Sequence, residues 1–174
     1  MLLMPEVSEQ APLSVLVLCT GNSARSIMAE ALFSHYGAGR IHACSAGSHP
    51  AGWVHPMALA QIAALDRPGT EPASKSWHEF TGPEAPVVDV VVTVCGNAAC
   101  ETSPEFPGTP LRVHWGLDDP SIIEGDDQRR EAFSACFGAL ERRIRILAQR
   151  LQINTSRTEA LRWMCRIAKK ELQS

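Results

Sequence analysis

The chain predicts an α/β protein: a doubly wound, four-stranded parallel sheet carrying an extra C-terminal helix. Three observations point there. Short apolar runs rich in Val and Leu, at 13–18 and 87–94, have the length and composition of buried strands, and 40–46 and 111–115 read as two more. Segments between and after them place apolar residues near helical spacing. Strand–helix alternation of this kind selects a parallel sheet with right-handed crossovers.

Residues 1–12 lack a basic start followed by a long apolar stretch, so they are expected as a flexible extension and not a signal peptide. Leu13-Ser-Val-Leu-Val-Leu18 is the first strand, and a helix opened by Arg25 follows a short loop. Ile27, Ala31 and Phe33 recur near helical spacing there, with Met28, Ala29, Glu30 and Leu32 as good helix formers. The second strand, 40–46, is stopped by Gly47 and Pro50. A helix is expected at 54–65 with Pro56 in its first turn, then a polar, Pro-rich loop over 66–86. Val87-Val-Asp-Val-Val-Val-Thr-Val94 is the clearest buried strand. A loop at 96–110 leads to the fourth strand, and a helix at 126–151 closes a main domain of 13–151.

The last segment, 152–174, is expected to hold the additional helix. Ser156-Arg-Thr-Glu159 has capping-box spacing ahead of Leu161, Met164, Cys165, Ala168 and Leu172. That helix docks on the domain or on a second subunit as a homodimer. Its basic face of Arg157, Arg162, Arg166, Lys169 and Lys170 is by default a solvated surface.

Composition narrows the class. Hydrophobic content of 45% and charged content of 20% describe an ordinary globular protein. A net charge of -3 argues against bulk nucleic-acid binding, so any anion site must be built locally. No stretch approaches the roughly 18 apolar residues that span a bilayer. Six cysteines without a secretion signal suggest a reducing, cytoplasmic setting, where thiols are reactive or buried and not bridged.

The most informative stretch is Cys19-Thr-Gly-Asn-Ser-Ala-Arg25-Ser26, between the first strand and the first helix. A tight loop at a helix N-terminus aims backbone N–H groups at one point, with the positive end of the helix dipole behind them. That arrangement binds a tetrahedral oxyanion through Thr20, Gly21, Asn22, Ser23, Ala24, Arg25 and Ser26. The same field favours a thiolate, so Cys19 is expected to have a lowered pKa and to be nucleophilic. Arg25 can fork two donors onto the anion, and the Ser26 or Ser23 hydroxyl can donate to the thiolate. Spacing alone proves little, because Cys136 and Arg142 repeat it. That second pair lies within a helical stripe of Phe133, Cys136, Phe137, Leu140, Ile144 and Leu147, and no strand or loop frames it, so Cys136 is expected as core packing.

Two further elements surround the cradle. Cys95-Gly-Asn-Ala-Ala-Cys100 starts where the third strand ends, and two cysteines five apart in a loop can approach disulfide distance. Beside Cys19 they would form three thiols able to exchange in sequence. A zinc pair is the main competitor, but no second pair at ligand spacing is present, so no metal is expected. Two loop cysteines without a role are the plain alternative. In Trp115-Gly-Leu-Asp-Asp-Pro120, Asp119 is held extended by the following proline and can donate a proton to a departing oxygen. The plain alternative is that Asp118 or Asp119 only shapes a turn. In a parallel sheet, Cys19, Cys95 and the loop after Trp115 all emerge at the C-terminal edge of the strands.

Taken together, Cys19 to Glu30, Ser45-Ala-Gly47, Val54-His-Pro56, Val92-Thr-Val-Cys95 and His114-Trp-Gly-Leu-Asp-Asp-Pro120 resemble arsenate reductases built on the low-molecular-weight protein tyrosine phosphatase fold. The resemblance runs in order from about Leu13 to Leu151. It implies that Cys19 is the nucleophile, that Arg25 and the Thr20–Ser26 loop bind arsenate, that Asp119 is the general acid and that Cys95 is the second redox cysteine. It implies reduction of arsenate to arsenite, with no tightly bound cofactor and with glutathione/glutaredoxin or thioredoxin as external thiol donor. The alternative is a phosphatase hydrolysing phosphomonoesters. Cys95 and Cys100 tilt towards reduction, as does Ser121-Ile122-Ile123 where the phosphatases tend to carry tyrosines. In thioredoxin-coupled relatives the third cysteine usually lies about seven residues past the second, before a proline; this chain has Ser103-Pro104 there and Cys100 earlier. Two routes follow: a Cys95–Cys100 disulfide, or clearance by a small-thiol system.

Overall fold

The structure is a computed structural model that describes residues 11–67, 71–151 and 155–170. The expected flexible extension falls mostly on 1–10, outside the described residues.

Four parallel strands form one sheet in the order β2-β1-β3-β4: β1 Leu13–Cys19, β2 Ile41–Gly47, β3 Val90–Thr93 and β4 Leu111–His114. Alternation along β1 splits the interior in two. Leu13, Val15, Val17 and Cys19 face the larger cluster, and Leu16 and Leu18 the smaller one. The larger face is covered by α1 (Arg25–Gly37), α2 (Pro56–Ile62) and α4 (Asp126–Arg150). The smaller face is closed by Trp77 and Phe80 of a 3₁₀ turn, with Val88 and Phe106. From β1 the chain winds to β2 on one side and then to β3 and β4 on the other. The strand order therefore reverses beside β1, and ligands bind at such a switch point, outside the carboxyl ends of the strands.

Three boundaries differ from expectation, each for a local reason. β3 is four residues long, not eight, because Val87 is 60% exposed and the Val88 N–H donates to the Pro107 carbonyl, outside the ladder. Asp89 diverts the strand start further: its carboxylate accepts from the Ser14 N–H at 2.8 Å and pairs with Arg157 at 3.0 Å. α2 ends at Ile62, short of the expected 65. The segment after Cys95, expected as loop throughout, begins with a short helix, α3 (Gly96–Cys100).

The C-terminal helix exists as α5 (Arg157–Lys170), and Ser156 Oγ accepts from the Glu159 N–H at 3.2 Å, one half of the expected capping box. It docks on its own domain through buried Ala160, Met164 and Ile167. Burying Met164 and Ile167 contributes about 2 kcal/mol each. Among the described residues, no helix is long and apolar enough to cross a membrane.

Candidate active site

Cys19 is the last residue of β1, and α1 starts at Arg25, so residues 20–24 must turn the chain through a tight loop. The loop is held from outside by its carbonyls. Thr20 O accepts from the His49 N–H, Gly21 O from Ala51 and Ser23 O from His55, each at 2.8–2.9 Å. With the carbonyls turned outward, the N–H groups of Gly21, Ser23 and Ala24 have no acceptor among the described residues. Ala24, at the N-cap of α1, offers no side-chain cap either. Unspent donors at a helix N-terminus form an anion cradle. Gly47 makes the fit possible: a Cβ there would overlap the Thr20 carbonyl oxygen.

A buried polar relay sets the shape of the cradle. Asn22 is fully buried, adopts φ 44°, and bonds in four directions. Its Nδ2 donates to Ser26 Oγ at 2.8 Å and to Ser45 Oγ at 2.9 Å. Its Oδ1 accepts from the Lys75 N–H at 2.8 Å, and its own N–H points at Cys19 Sγ at 3.2 Å. Ser45 in turn donates to Glu30, which also pairs with Lys75 Nζ at 3.6 Å. Because Ser26 Oγ already accepts from Asn22, its proton is free to go to Cys19 Sγ, 2.8 Å away. The sequence reading had no role for Glu30, Ser45 or Lys75. The available signal was a glutamate within an apolar helix and a serine in a buried strand.

The thiol differs from expectation. Burial pushes the Cys19 pKa up, because a thiolate in the core loses its hydration. Hydrogen bonds from the Ser26 side chain, the Ser26 N–H and the Asn22 N–H oppose that without overcoming it, and nearby Cys95 adds to the rise. Burial therefore favours the protonated sulfur over the thiolate.

Arg25 also differs from the free fork expected of it. Its Nη1 donates to the Leu117 carbonyl at 3.0 Å and its Nη2 to Asp119 Oδ2 at 2.8 Å, with the guanidinium 12% exposed. Asp119 Oδ1 accepts from the Ser121 N–H at 2.9 Å and the Ser121 hydroxyl at 2.7 Å, so Asp119 both caps a 3₁₀ turn and faces the arginine. His55, the N-cap of α2, stands nearby: its Nδ1 accepts from the Met57 N–H, its ring stacks on Phe133 at 4.6 Å, and burial, then Arg129, lowers its pKa against the pull of Asp119.

Cys95 lies beside the cradle. It is buried, caps α3 by accepting from the Ala98 N–H at 3.4 Å, and sits 3.6 Å from Thr20 Oγ1. Cys100, at the far end of α3, is exposed. Five helical residues rise about 7.5 Å, beyond the roughly 7 Å that a disulfide tolerates between Cα atoms, so bridging Cys95 to Cys100 requires α3 to unwind. Beyond it the chain is anchored again, Arg112 donating to Ser103 Oγ and to the Pro104 carbonyl. Cys136 is buried in the core, and burial pushes its pKa up to about 11; it also lies within electrostatic reach of Arg25 and Asp119, backing the site from α4.

A buried cysteine and an arginine on a strand–loop–helix cradle, at the switch point of a parallel sheet, define a cysteine-dependent oxyanion site. The chain belongs to the low molecular weight phosphotyrosine protein phosphatase family, whose sequence profile matches residues 14–157. It is 36% identical over 133 residues to an arsenate reductase of Halalkalibacterium halodurans, covering 76% of this chain and 92% of that one. A solved arsenate reductase in its phosphate-binding state superposes with a TM-score of 0.62 at 30% identity, over 80% of this chain and 99% of that one. A thioredoxin-dependent arsenate reductase of Corynebacterium glutamicum matches at a TM-score of 0.53 and 26% identity, over 76% of this chain and 60% of that one.

Proposed function

We propose that this chain is a thiol-dependent arsenate reductase in which Cys19, Cys95 and then Cys100 or an external thiol carry two electrons to arsenic. One observation carries the choice: a second buried thiol, Cys95, stands at the rim of the cradle, 3.6 Å from Thr20 Oγ1. Hydrolysis of a phosphoester has no use for it.

Arsenate matches the cradle in charge and tetrahedral shape. Its oxygens take the unspent N–H groups of Gly21, Ser23 and Ala24, and its charge competes with Asp119 for Arg25. Exchanging Asp119 for the anion turns Arg25 onto the substrate and leaves Asp119 at the departing oxygen. Cys19 sulfur attacks arsenic as its proton passes to the dianion, which brings an oxygen basic enough to take it. One As–O bond breaks, Asp119 relays a proton from solvent to the departing oxygen, and that oxygen leaves as water; the product is a Cys19–arsenate thioester. Cys95 sulfur then attacks Cys19 sulfur as its proton passes to an oxygen of the departing arsenic group. The S–S bond forms, the S–As bond breaks, and its electron pair reduces As(V) to As(III), released as arsenite. The Cys19–Cys95 disulfide is cleared by Cys100 once α3 unwinds, or by an external thiol. Thioredoxin is the donor supported by the Corynebacterium relative; glutathione with glutaredoxin is the other.

The test is arsenate-dependent oxidation of a coupled thiol donor, with mass spectrometry of the disulfides formed. Cys19→Ser and Cys95→Ser are both expected to abolish it. Undiminished turnover in Cys95→Ser without glutathione would remove the internal relay. Hydrolysis of an aryl phosphate with higher efficiency than arsenate reduction would establish the phosphatase reading instead.

A further inference from the structure

α5 lies almost wholly outside the family match, which ends at residue 157, and its attachment uses only one of its faces. Ala160, Met164 and Ile167 pack inward, and Arg157 ties the helix start to Asp89 at 3.0 Å. Arg162 and Arg166 are exposed, as is Arg150 at the end of α4. Several arginines elsewhere are ion-paired: Arg25 with Asp119, Arg129 with Asp126, Arg130 with Asp127 and Arg157 with Asp89. The guanidiniums of Arg150, Arg162 and Arg166 have no hydrogen bond or ion pair among the described residues.

Two of the three, Arg150 and Arg166, are nevertheless ordered by a common scaffold. The Trp163 ring has Arg150 over it at 4.6 Å and Arg166 at 5.0 Å from its centroid. Stacking on an aromatic ring restrains a guanidinium while leaving its N–H edge open for a carboxylate fork. Beside the ring is a cavity of about 370 Å³ lined by Ser156, Glu159, Arg162, Trp163 and Arg166. On a chain of net charge -3, this is a local concentration of unspent donors.

We infer that the α4–α5 corner is a docking surface for an acidic segment of a protein partner, whose carboxylates take the forks of Arg150, Arg162 and Arg166. A single-stranded nucleic acid is the poorer match, because base stacking needs an open ring and Trp163 already carries two guanidiniums. An anionic membrane is poorer too, because Trp163 is half-buried and the large exposed apolar side chains lie on other elements or, as with Ile146, a turn away. The corner is reached from the entering ends of β1 and β3, since Arg157 also approaches the Pro12 carbonyl, whereas Cys19 is at the leaving end of β1. A partner docked here leaves the cradle open.

The experiment titrates the full-length protein with a short fluorescein-labelled Glu-rich peptide, an oligo-dT of similar charge and vesicles containing phosphatidylserine. The peptide is expected to bind more tightly than the other two, and to weaken with added salt. The Arg162→Glu/Arg166→Glu variant should lose about tenfold or more in peptide affinity, with arsenate turnover unchanged. Arg130→Glu, a charge change elsewhere on the surface, should leave peptide affinity within about twofold. Unchanged peptide binding in the double variant overturns the inference, as does tighter binding of the oligonucleotide or vesicles. Because turnover is read separately, loss of the reductase reading would leave this result standing.

Discussion

Cys19 with Arg25 and Cys136 with Arg142 share one spacing, and both cysteines are buried with pKa values raised by burial. What separates them is the direction in which polar groups point. Around Cys19, two N–H groups and a hydroxyl converge on the sulfur, and the loop keeps further donors unspent. Around Cys136 the neighbours are a helix and the core, and burial leads the influences on its pKa. The arginines differ in the same way: Arg25 is ordered by Leu117 and Asp119 across the mouth, while Arg142 is exposed. A nucleophile site is thus distinguished by convergent donors, and neither spacing nor burial reports them.

The widest gap between the two pairs is chemical. Cys19→Ser is expected to lower kcat for arsenate by at least about 1,000-fold, whereas Cys136→Ala should keep it within about threefold, measured by coupled thiol oxidation. Equal loss in both variants would break the distinction. Next, Arg25→Lys loses the planar fork and should cost about 100-fold in kcat/KM, with Arg142→Lys silent. Asn22→Ala leaves the partners Ser26, Ser45 and the Lys75 N–H without their bonds. It should cost about 2–4 kcal/mol of stability in urea melts, together with about tenfold in kcat.

The smallest expected effect concerns pH. The Cys136 thiol ordinarily titrates near 9 and is pushed up to about 11 in the fold, so the native state holds its proton where the unfolded chain has released it. Its contribution to stability is complete below pH 9 and declines between about pH 9 and 11, by about 2 kcal/mol in all. Wild type should therefore lose more stability than Cys136→Ala over that range in denaturant titrations. Parallel curves would show that Cys136 does not titrate there.

Much of the frame was legible beforehand because it depends on neighbours in sequence. The runs at 13–18 and 111–115 mark strands through apolar composition, and the helix expected at 126–151 appears as Asp126–Arg150 because its stripe recurs over many turns. β3 was overextended because Val87 and Val88 have strand composition but are claimed by Pro107 and by the pairing of Asp89 with Ser14 and Arg157. α3 was missed because five residues give no readable period. In the site, Cys19, Arg25, Cys95 and Asp119 were all singled out, and they gather at one edge because parallel strands end together. The bonds that join Glu30, Ser45 and Asn22 were not legible, although all three lie within the motifs quoted, since spacing does not report which polar side chains meet.

By itself the sequence determined the four strands, the cradle between β1 and α1, and the identity of the thiols, because these depend on residues within a few positions of one another. Tertiary structure alone decided that burial raises the Cys19 pKa and that Arg25 is held by Asp119, 94 residues away. It also decided that Asn22 ties together segments 23 and 53 residues distant. Charge state and donor direction depend on solvent exclusion and on which distant groups face the site, and neither exists until the sheet has closed over it.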